Sequence, residues 1–290
     1  MAWRSSVLVL TTATILFFIG CATDRATRRT ADDDQSQADG VNQPACHPTT
    51  RIDADPVRPM RDIVYATVDG RDLLADFYPP YDQGDPCPLV IWIHGGGWSG
   101  GDKKKCLPNS LRQGGYATAS INYRFTQDAP FPAQIHDCKA AVRFFRANAQ
   151  RFNIRPDAIG VAGHSAGGHL CALLGVTADK PLYDGDVGVT GVSSAVQAVC
   201  DLSGPTDFIL MVTCPEISSA KKPGSPSERL VGGPILEHRA AAEAASPACQ
   251  ITGQAPPFLL LHGQADELVP VSQRSEEHTS ELPSRQVISY

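Results

Sequence analysis

The most constraining stretch of this 290-residue chain is Ile159-Gly160-Val161-Ala162, then Gly163-His164-Ser165-Ala166-Gly167-Gly168, then a Leu-rich, small-residue run to Val176. A short apolar run bounded by glycines reads as a buried strand, and Ala166 to Val176 reads as a helix. The glycines on either side permit a sharp strand-to-helix turn that holds Ser165 in strained backbone geometry, with no side chain blocking its approach. A strand delivering a helix in this way belongs to a mostly parallel sheet covered on both faces, the α/β class. With 42% hydrophobic residues, a chain of this length can bury a single core.

The rest of the sequence alternates in the same manner from Arg61 onward. Ile63 to Val68 and Leu73 to Tyr78 predict a hairpin turning at Asp69-Gly70. Leu89-Val90-Ile91-Trp92-Ile93 is apolar throughout, as a strand buried on both faces must be. Tyr116 to Ile121, Val196 to Leu202 and Pro257 to Leu261 predict further strands. Ala133 to Ala149 carries Ile135, Cys138, Val142, Phe145 and Ala149 at helical spacing, with Arg and Lys on its other faces, and predicts an amphipathic helix on the sheet. Residues 204–255 are rich in Pro, Gly, Ser and Ala and predict a lid-like insertion of unpredictable order. No internal repeat is present.

A serine hydroxyl attacks a carbonyl only when a base removes its proton, so an acyl-transfer site needs an exposed Ser, a His and a carboxylate that orients the His. Ser165 meets the first requirement; the alternative for it is an ordinary helix-capping serine. His94-Gly95-Gly96-Gly97-Trp98 follows the buried strand directly. Its glycines allow backbone N–H groups to point into a pocket, where Gly96 and Gly97 would join Ala166 as oxyanion donors. No Lys-Ser/Thr follows and no GxGxxG is present, which argues against a phosphate-binding loop. His94 itself is expected to fix the loop. In His262-Gly263-Gln264-Ala265-Asp266-Glu267-Leu268-Val269-Pro270, Asp266 stands at a strand end, in the order Ser then acid; its rivals are Asp201, Asp207 and Glu267.

His94 to Trp98, Asn122-Tyr123-Arg124, Asp137 to Ala149, Gly163 to Leu170, Ser203 to Phe208 and His262 to Pro270 together resemble α/β-hydrolases of the bacterial feruloyl-esterase and acetyl-esterase type, which adjoin the hormone-sensitive-lipase-like esterases. The resemblance spans about residues 60–273. It implies the α/β-hydrolase fold and a serine-dependent carboxylic ester hydrolase working through an acyl-enzyme, with Ser165 and Asp266 as catalytic residues and no cofactor. Acetyl, feruloyl or other small acyl esters, free or attached to polysaccharide, are the implied substrates. A serine peptidase of the same fold, or a surface-anchored binding protein that kept the scaffold, are the rival readings.

The resemblance departs at the base. A helix and a last strand normally separate the acid from the catalytic histidine, a distance of roughly 25 to 40 residues by element lengths. His278 follows Asp266 too soon for both to form. The segment Arg274 to Leu282 resembles the translation of a sequencing-adapter oligonucleotide, so residues 274–290 are expected to be an artefactual tail on a truncated 59–273 domain, with the last helix and strand missing and activity impaired.

The N-terminus predicts export. Arg4 supplies a positive charge before the apolar run Val7 to Ile19, and Gly20-Cys21 resembles a lipobox, making Cys21 the expected lipidation site and residues 1–21 a signal peptide. The protein is then a periplasmic or cell-envelope lipoprotein, or else secreted. Residues 22–58 are polar, without apolar periodicity, and predict a disordered linker. Besides Cys21 there are eight cysteines, an even number that predicts disulfides in an oxidising compartment. None has zinc-site spacing, so no metal is implied. A net charge of -6 without a basic patch excludes nucleic acid as an expected partner.

Overall fold

The computed structural model describes residues 58–104, 109–178, 180–213, 223–251, 254–274 and 285–289. The expected signal peptide, Cys21 and nearly all of the linker lie outside them. Eight strands form one sheet: β1 (Met60–Val68), β2 (Arg71–Tyr78), β3 (Cys87–Ile93), β4 (Ala117–Ile121), β5 (Ile154–His164), β6 (Ala198–Leu202), β7 (Phe258–His262) and β8 (Arg285–Ser289). Their spatial order is β1-β2-β4-β3-β5-β6-β7-β8.

The hairpin forms as its turn chemistry demands. Asp69 and Gly70 both take positive φ, +50° and +77°, which lets a two-residue loop match the twist of β1 and β2. β2 pairs antiparallel with β4, and every later pairing is parallel. The chain therefore steps from β3 to β4 in one direction and then crosses back to place β5 on the other side of β3. That reversal opens a crevice beyond the carboxyl ends of β3 and β5, where ligands bind in open α/β sheets.

Eight short or medium helices complete the described chain: α1 (Asn109–Gln113), α2 (Ala133–Ala147), α3 (Ala149–Phe152), α4 (Ala166–Val176), α5 (Pro181–Asp184), α6 (Phe208–Thr213), α7 (Pro226–Val231) and α8 (Arg239–Ala245). Every residue of α4 is buried, which is why its sequence lacks a polar face. α2 and α4 pack with the sheet in one hydrophobic cluster that includes Ile91, Ile93, Ile135, Phe145, Val161 and Leu170. The insertion expected to be a lid carries α6, α7 and α8, and Phe208, Met211, Leu230, Ala242 and Ala245 join that same cluster.

Three expectations are corrected here. The cations of α2 do not all face solvent: Lys139 and Arg143 are buried. Lys139 Nζ donates to the Thr177 carbonyl (2.6 Å) and to Asp184 (2.9 Å), while Arg143 donates to the carbonyls of Asp184 and Val187 (2.8 and 2.9 Å). The segment after α5 has carbonyls without ladder partners, and charge-assisted bonds satisfy them. Next, the disulfide framework is not found at Cys87, Cys138, Cys171, Cys200 or Cys249, all free thiols. Cys138 and Cys171 sit in the apolar core, where burial pushes their thiols well up, and they serve as small hydrophobes. Cys46, Cys106 and Cys214 lie outside the described residues.

Finally, a last strand is present: β8 pairs parallel with β7 from Phe258↔Arg285 to His262↔Ser289. The run Arg285-Gln286-Val287-Ile288-Ser289 has the β-branched pair a sheet edge accepts. The other half of that expectation, a missing last helix, lies outside the described residues.

Candidate active site

β5 ends at His164, and Ser165 turns the chain into α4 with φ +56° and ψ −122°, a conformation a side-chain-bearing residue occupies only under constraint. Two backbone bonds impose it. Ser165 N–H donates to the Leu202 carbonyl at the end of β6 (2.8 Å), and the Ser165 carbonyl accepts from His169 N–H in the first turn of α4 (3.0 Å). Ser165 is half-buried and His164 exposed.

The glycine loop lies against this turn. A Cβ added to Gly95 would stand 2.7 Å from the His164 carbonyl oxygen and 3.2 Å from Ser165 Cβ, so only glycine lets the two backbones approach. Gly96, Gly97 and Trp98 all take positive φ, +126°, +58° and +53°. His94 anchors the base of the loop: it is buried, its Nδ1–H donates to the Gly95 carbonyl (2.8 Å), and its ring stacks on Tyr123 at 4.6 Å. Tyr123 hydroxyl in turn donates to the His94 carbonyl (3.0 Å). This matches the loop-fixing role expected for His94.

Asp266 lies in the loop after β7. Its Oδ1 accepts from the N–H groups of Leu268 and Val269 (3.0 and 2.9 Å), which fixes the carboxylate. The loop is closed from below by His262, fully buried, whose Nε2–H donates to the Val269 carbonyl (2.6 Å) and stands 3.7 Å from Asp266 Oδ2. The rival carboxylates are placed otherwise. Asp201 is fully buried, with Oδ1 accepting from Gly204 N–H (2.9 Å). Asp207 Oδ1 accepts from Leu210 N–H (2.9 Å) in the first turn of α6, a capping contact. Glu267 is exposed.

Because β3, β5, β6, β7 and β8 are parallel, the glycine loop, Ser165, the Ser203 to Phe208 loop and Asp266 all emerge at one edge of the sheet. Among the described residues no histidine nitrogen is hydrogen-bonded to the Ser165 hydroxyl, and His278 lies outside them. Nor do three His, Cys, Asp or Glu side chains converge as a metal site requires, among the same residues.

Two contacts were not legible in the sequence. Gln273 is buried, and its Oε1 accepts from the N–H groups of Thr206 and Asp207 (3.0 and 2.9 Å), joining the acid loop to the root of the insertion. Trp98 Nε1–H donates to Nδ1 of His169 (3.1 Å), both rings being buried. Neither Gln273 nor His169 follows a periodicity or spacing that announces a partner so distant in sequence.

Esterase LipC of Mycobacterium tuberculosis is 34% identical over 209 residues, covering 71% of this chain and 51% of that protein. The chain thus spans about half the length of LipC. A truncated carbohydrate esterase from gut microbiota superposes with a TM-score of 0.72 at 30% identity, covering 81% of this chain and 89% of that one. A bifunctional GH43-CE protein of Bacteroides eggerthii gives 0.72 at 33% identity, covering 80% and 32%. The family model described as BD-FAE matches residues 75–282, which include the glycine loop, the serine turn and the Asp266 loop. On that match and this fold, the chain belongs to the BD-FAE family of α/β-hydrolases.

Proposed function

We propose that the protein is a serine-dependent carboxylic ester hydrolase. The observation that carries this reading is the positive-φ turn at Ser165, set at the sheet's reversal point with the glycine loop packed directly against it. Ser165 Oγ attacks the ester carbonyl, and the proton passes to a histidine acting as general base. N–H groups of Gly96, Gly97 and Ala166 hold the oxyanion, each such donor supplying on the order of 3 kcal/mol of transition-state stabilisation. Asp266 holds the histidine in the correct tautomer and stabilises its cation. The alcohol leaves with the histidine proton, and water repeats the sequence on the acyl-enzyme to free Ser165.

An esterase and carbohydrate esterases stand among the relatives, which supports an acetyl, feruloyl or similar small acyl ester, on a carbohydrate, as substrate. The lipobox-like Gly20-Cys21 supports action at the cell envelope of a bacterium, where such substrates arrive from outside.

A fluorophosphonate probe tests the reading. It phosphonylates a serine only when that serine is activated, and the expected result is labelling at Ser165 that Ser165→Ala abolishes. A protein left unlabelled, while binding an acylated oligosaccharide, is a binding scaffold and the hydrolase reading fails.

A further inference from the structure

The glycine loop has three consecutive residues at positive φ and no strand partner, so something outside it must hold its N–H groups in place. His94 holds the base of the loop and Thr126 N–H donates to the Trp98 carbonyl (2.8 Å), while the side-chain contact that ties the loop to α4 is made by Trp98. Its indole N–H is a donor only, so the His169 nitrogen 3.1 Å away, Nδ1, is an acceptor. His169 Nε2 then carries the proton, and it donates to the carbonyl of Ala245 (2.7 Å), the last residue of α8. Phe208, the first residue of α6, closes the cluster edge-on to both rings, at 5.6 Å from Trp98 and 5.2 Å from His169. His169 also lies one turn past Ser165 and donates its backbone N–H to the Ser165 carbonyl. One buried residue thus joins the turn bearing Ser165, through its backbone N–H, to two segments remote in sequence, the glycine loop and the insertion, through its ring.

We propose that the Trp98–His169 hydrogen bond ties the oxyanion loop to the helix that follows Ser165 and holds the two in register, while the Ala245 carbonyl fixes the ring tautomer that leaves Nδ1 free to accept. His169 is a positioning residue; it acts through Trp98 and touches no substrate. The proposal rests on Ser165 being the nucleophile only for its kinetic consequence. Misplacing a catalytic group by about 1 Å costs on the order of a hundredfold in rate, so a loop released from its anchor has a measurable price in turnover.

The two ring nitrogens can be replaced separately. His169→Asn puts an amide oxygen where Nδ1 stands, keeping the acceptor for Trp98 and losing the donor to Ala245. His169→Gln puts an amide nitrogen where Nε2 stands, keeping Ala245 and losing Trp98. Trp98→Phe removes the donor, together with part of the indole's volume, and leaves one ring in the cluster. Hydrogen exchange of the full chain, read on peptides covering 94–101 and 239–250, is the first measurement. The second is the rate at which a fluorophosphonate labels Ser165.

His169→Gln and Trp98→Phe are expected to raise exchange in 94–101 by roughly tenfold, the effect of one hydrogen bond, and to slow labelling by roughly ten- to a hundredfold. His169→Asn is expected to keep the loop's exchange and the labelling rate within about twofold of the parent while exchange rises in 239–250. Equal impairment by Asn and Gln, or unchanged loop exchange in all three variants, overturns the proposal and makes His169 a core filler. If His169→Gln fails to fold, Trp98→Phe decides alone. If the parent protein is not labelled at Ser165, the hydrolase reading fails, and the exchange pattern still decides whether the anchor exists.

Discussion

A Cβ added to Gly167 would stand 2.0 Å from the carbonyl oxygen of Ile93, so the first turn of α4 and the end of β3 meet backbone to backbone. Neither side of that contact can swing away, as the end of a flexible side chain would. Gly167→Ala is therefore expected to lose at least about 3 kcal/mol of stability through overpacking. Gly84→Ala, where an added Cβ meets nothing within 4 Å, is the control and stays within about 1 kcal/mol of the parent. Urea unfolding midpoints of the two variants compare them directly, and equal midpoints would refute the contact.

The strained turn at Ser165 gives a second expectation. Positive φ costs a side-chain-bearing residue on the order of 1 kcal/mol, which glycine does not incur. Ser165→Gly should unfold at a higher temperature than Ser165→Ala, although both are expected to be inert to a fluorophosphonate. A Gly variant less stable than the Ala variant would show that the turn carries no strain.

Asp266 and Asp201 are separated by the same substitution. In Asp266→Asn the amide oxygen still accepts from Leu268 and Val269, so stability changes little while kcat for a p-nitrophenyl ester falls by roughly 10⁴-fold, the effect of a wrong histidine tautomer. Asp201→Asn disturbs a fully buried carboxylate that receives Gly204 N–H and is expected to act first on stability. Should Asp201→Asn abolish turnover in a stable protein while Asp266→Asn does not, the acid has been misassigned.

Burial lowers the His169 pKa from 6.5 to about 4. The folded state leaves this ring neutral where the unfolded chain binds a proton, so its contribution to stability is complete above pH 6.5 and is lost as pH falls through 6.5 toward about 4. The loss amounts to about 3 kcal/mol over that window. His169→Asn does not titrate there, and chemical denaturation at pH 7 and pH 4.5 should show a shallower fall for the variant than for the parent. Identical slopes would mean that the ring is protonated in the folded protein.

Lys139→Met removes a buried cation from Thr177 and Asp184 while keeping most of the side-chain volume. The Thr177 carbonyl loses a charge-assisted bond, and the loss is expected to be about 2 to 3 kcal/mol. A denaturant midpoint equal to that of the parent would show that the ion pair adds nothing beyond packing.

Much of the scaffold was legible locally. The Asp69-Gly70 turn, the continuously apolar β3, and the change from strand to helix across Ser165 follow from glycine placement and apolar period. The periodicity of α2 was also readable, but the destinations of Lys139 and Arg143 were not. A helical wheel places a cation on a face and does not say that the carbonyls of 184–189 will cover that face. The even cysteine count misled for a related reason: parity records no distances, and Cys138 and Cys171 are spent on apolar packing between α2, α4 and the sheet.

The sequence alone determined which short segments extend, coil or reverse, because those choices rest on contacts within a few residues: a missing Cβ at Gly163 and Gly167, a β-branched run, an apolar face. It also set Ser165, the glycine loop and Asp266 in an order compatible with one site. Only the tertiary structure decided that these emerge at one edge of the sheet. The strand order β4-β3-β5-β6-β7 brings the carboxyl ends of β3, β5 and β7 to one edge, and the crossing from β4 to β5 opens the crevice between them. The tertiary fold also paired Trp98 with His169, and Gln273 with Thr206 and Asp207, because a buried polar group is satisfied by whichever distant segment packing brings within reach, and sequence spacing carries no record of that meeting.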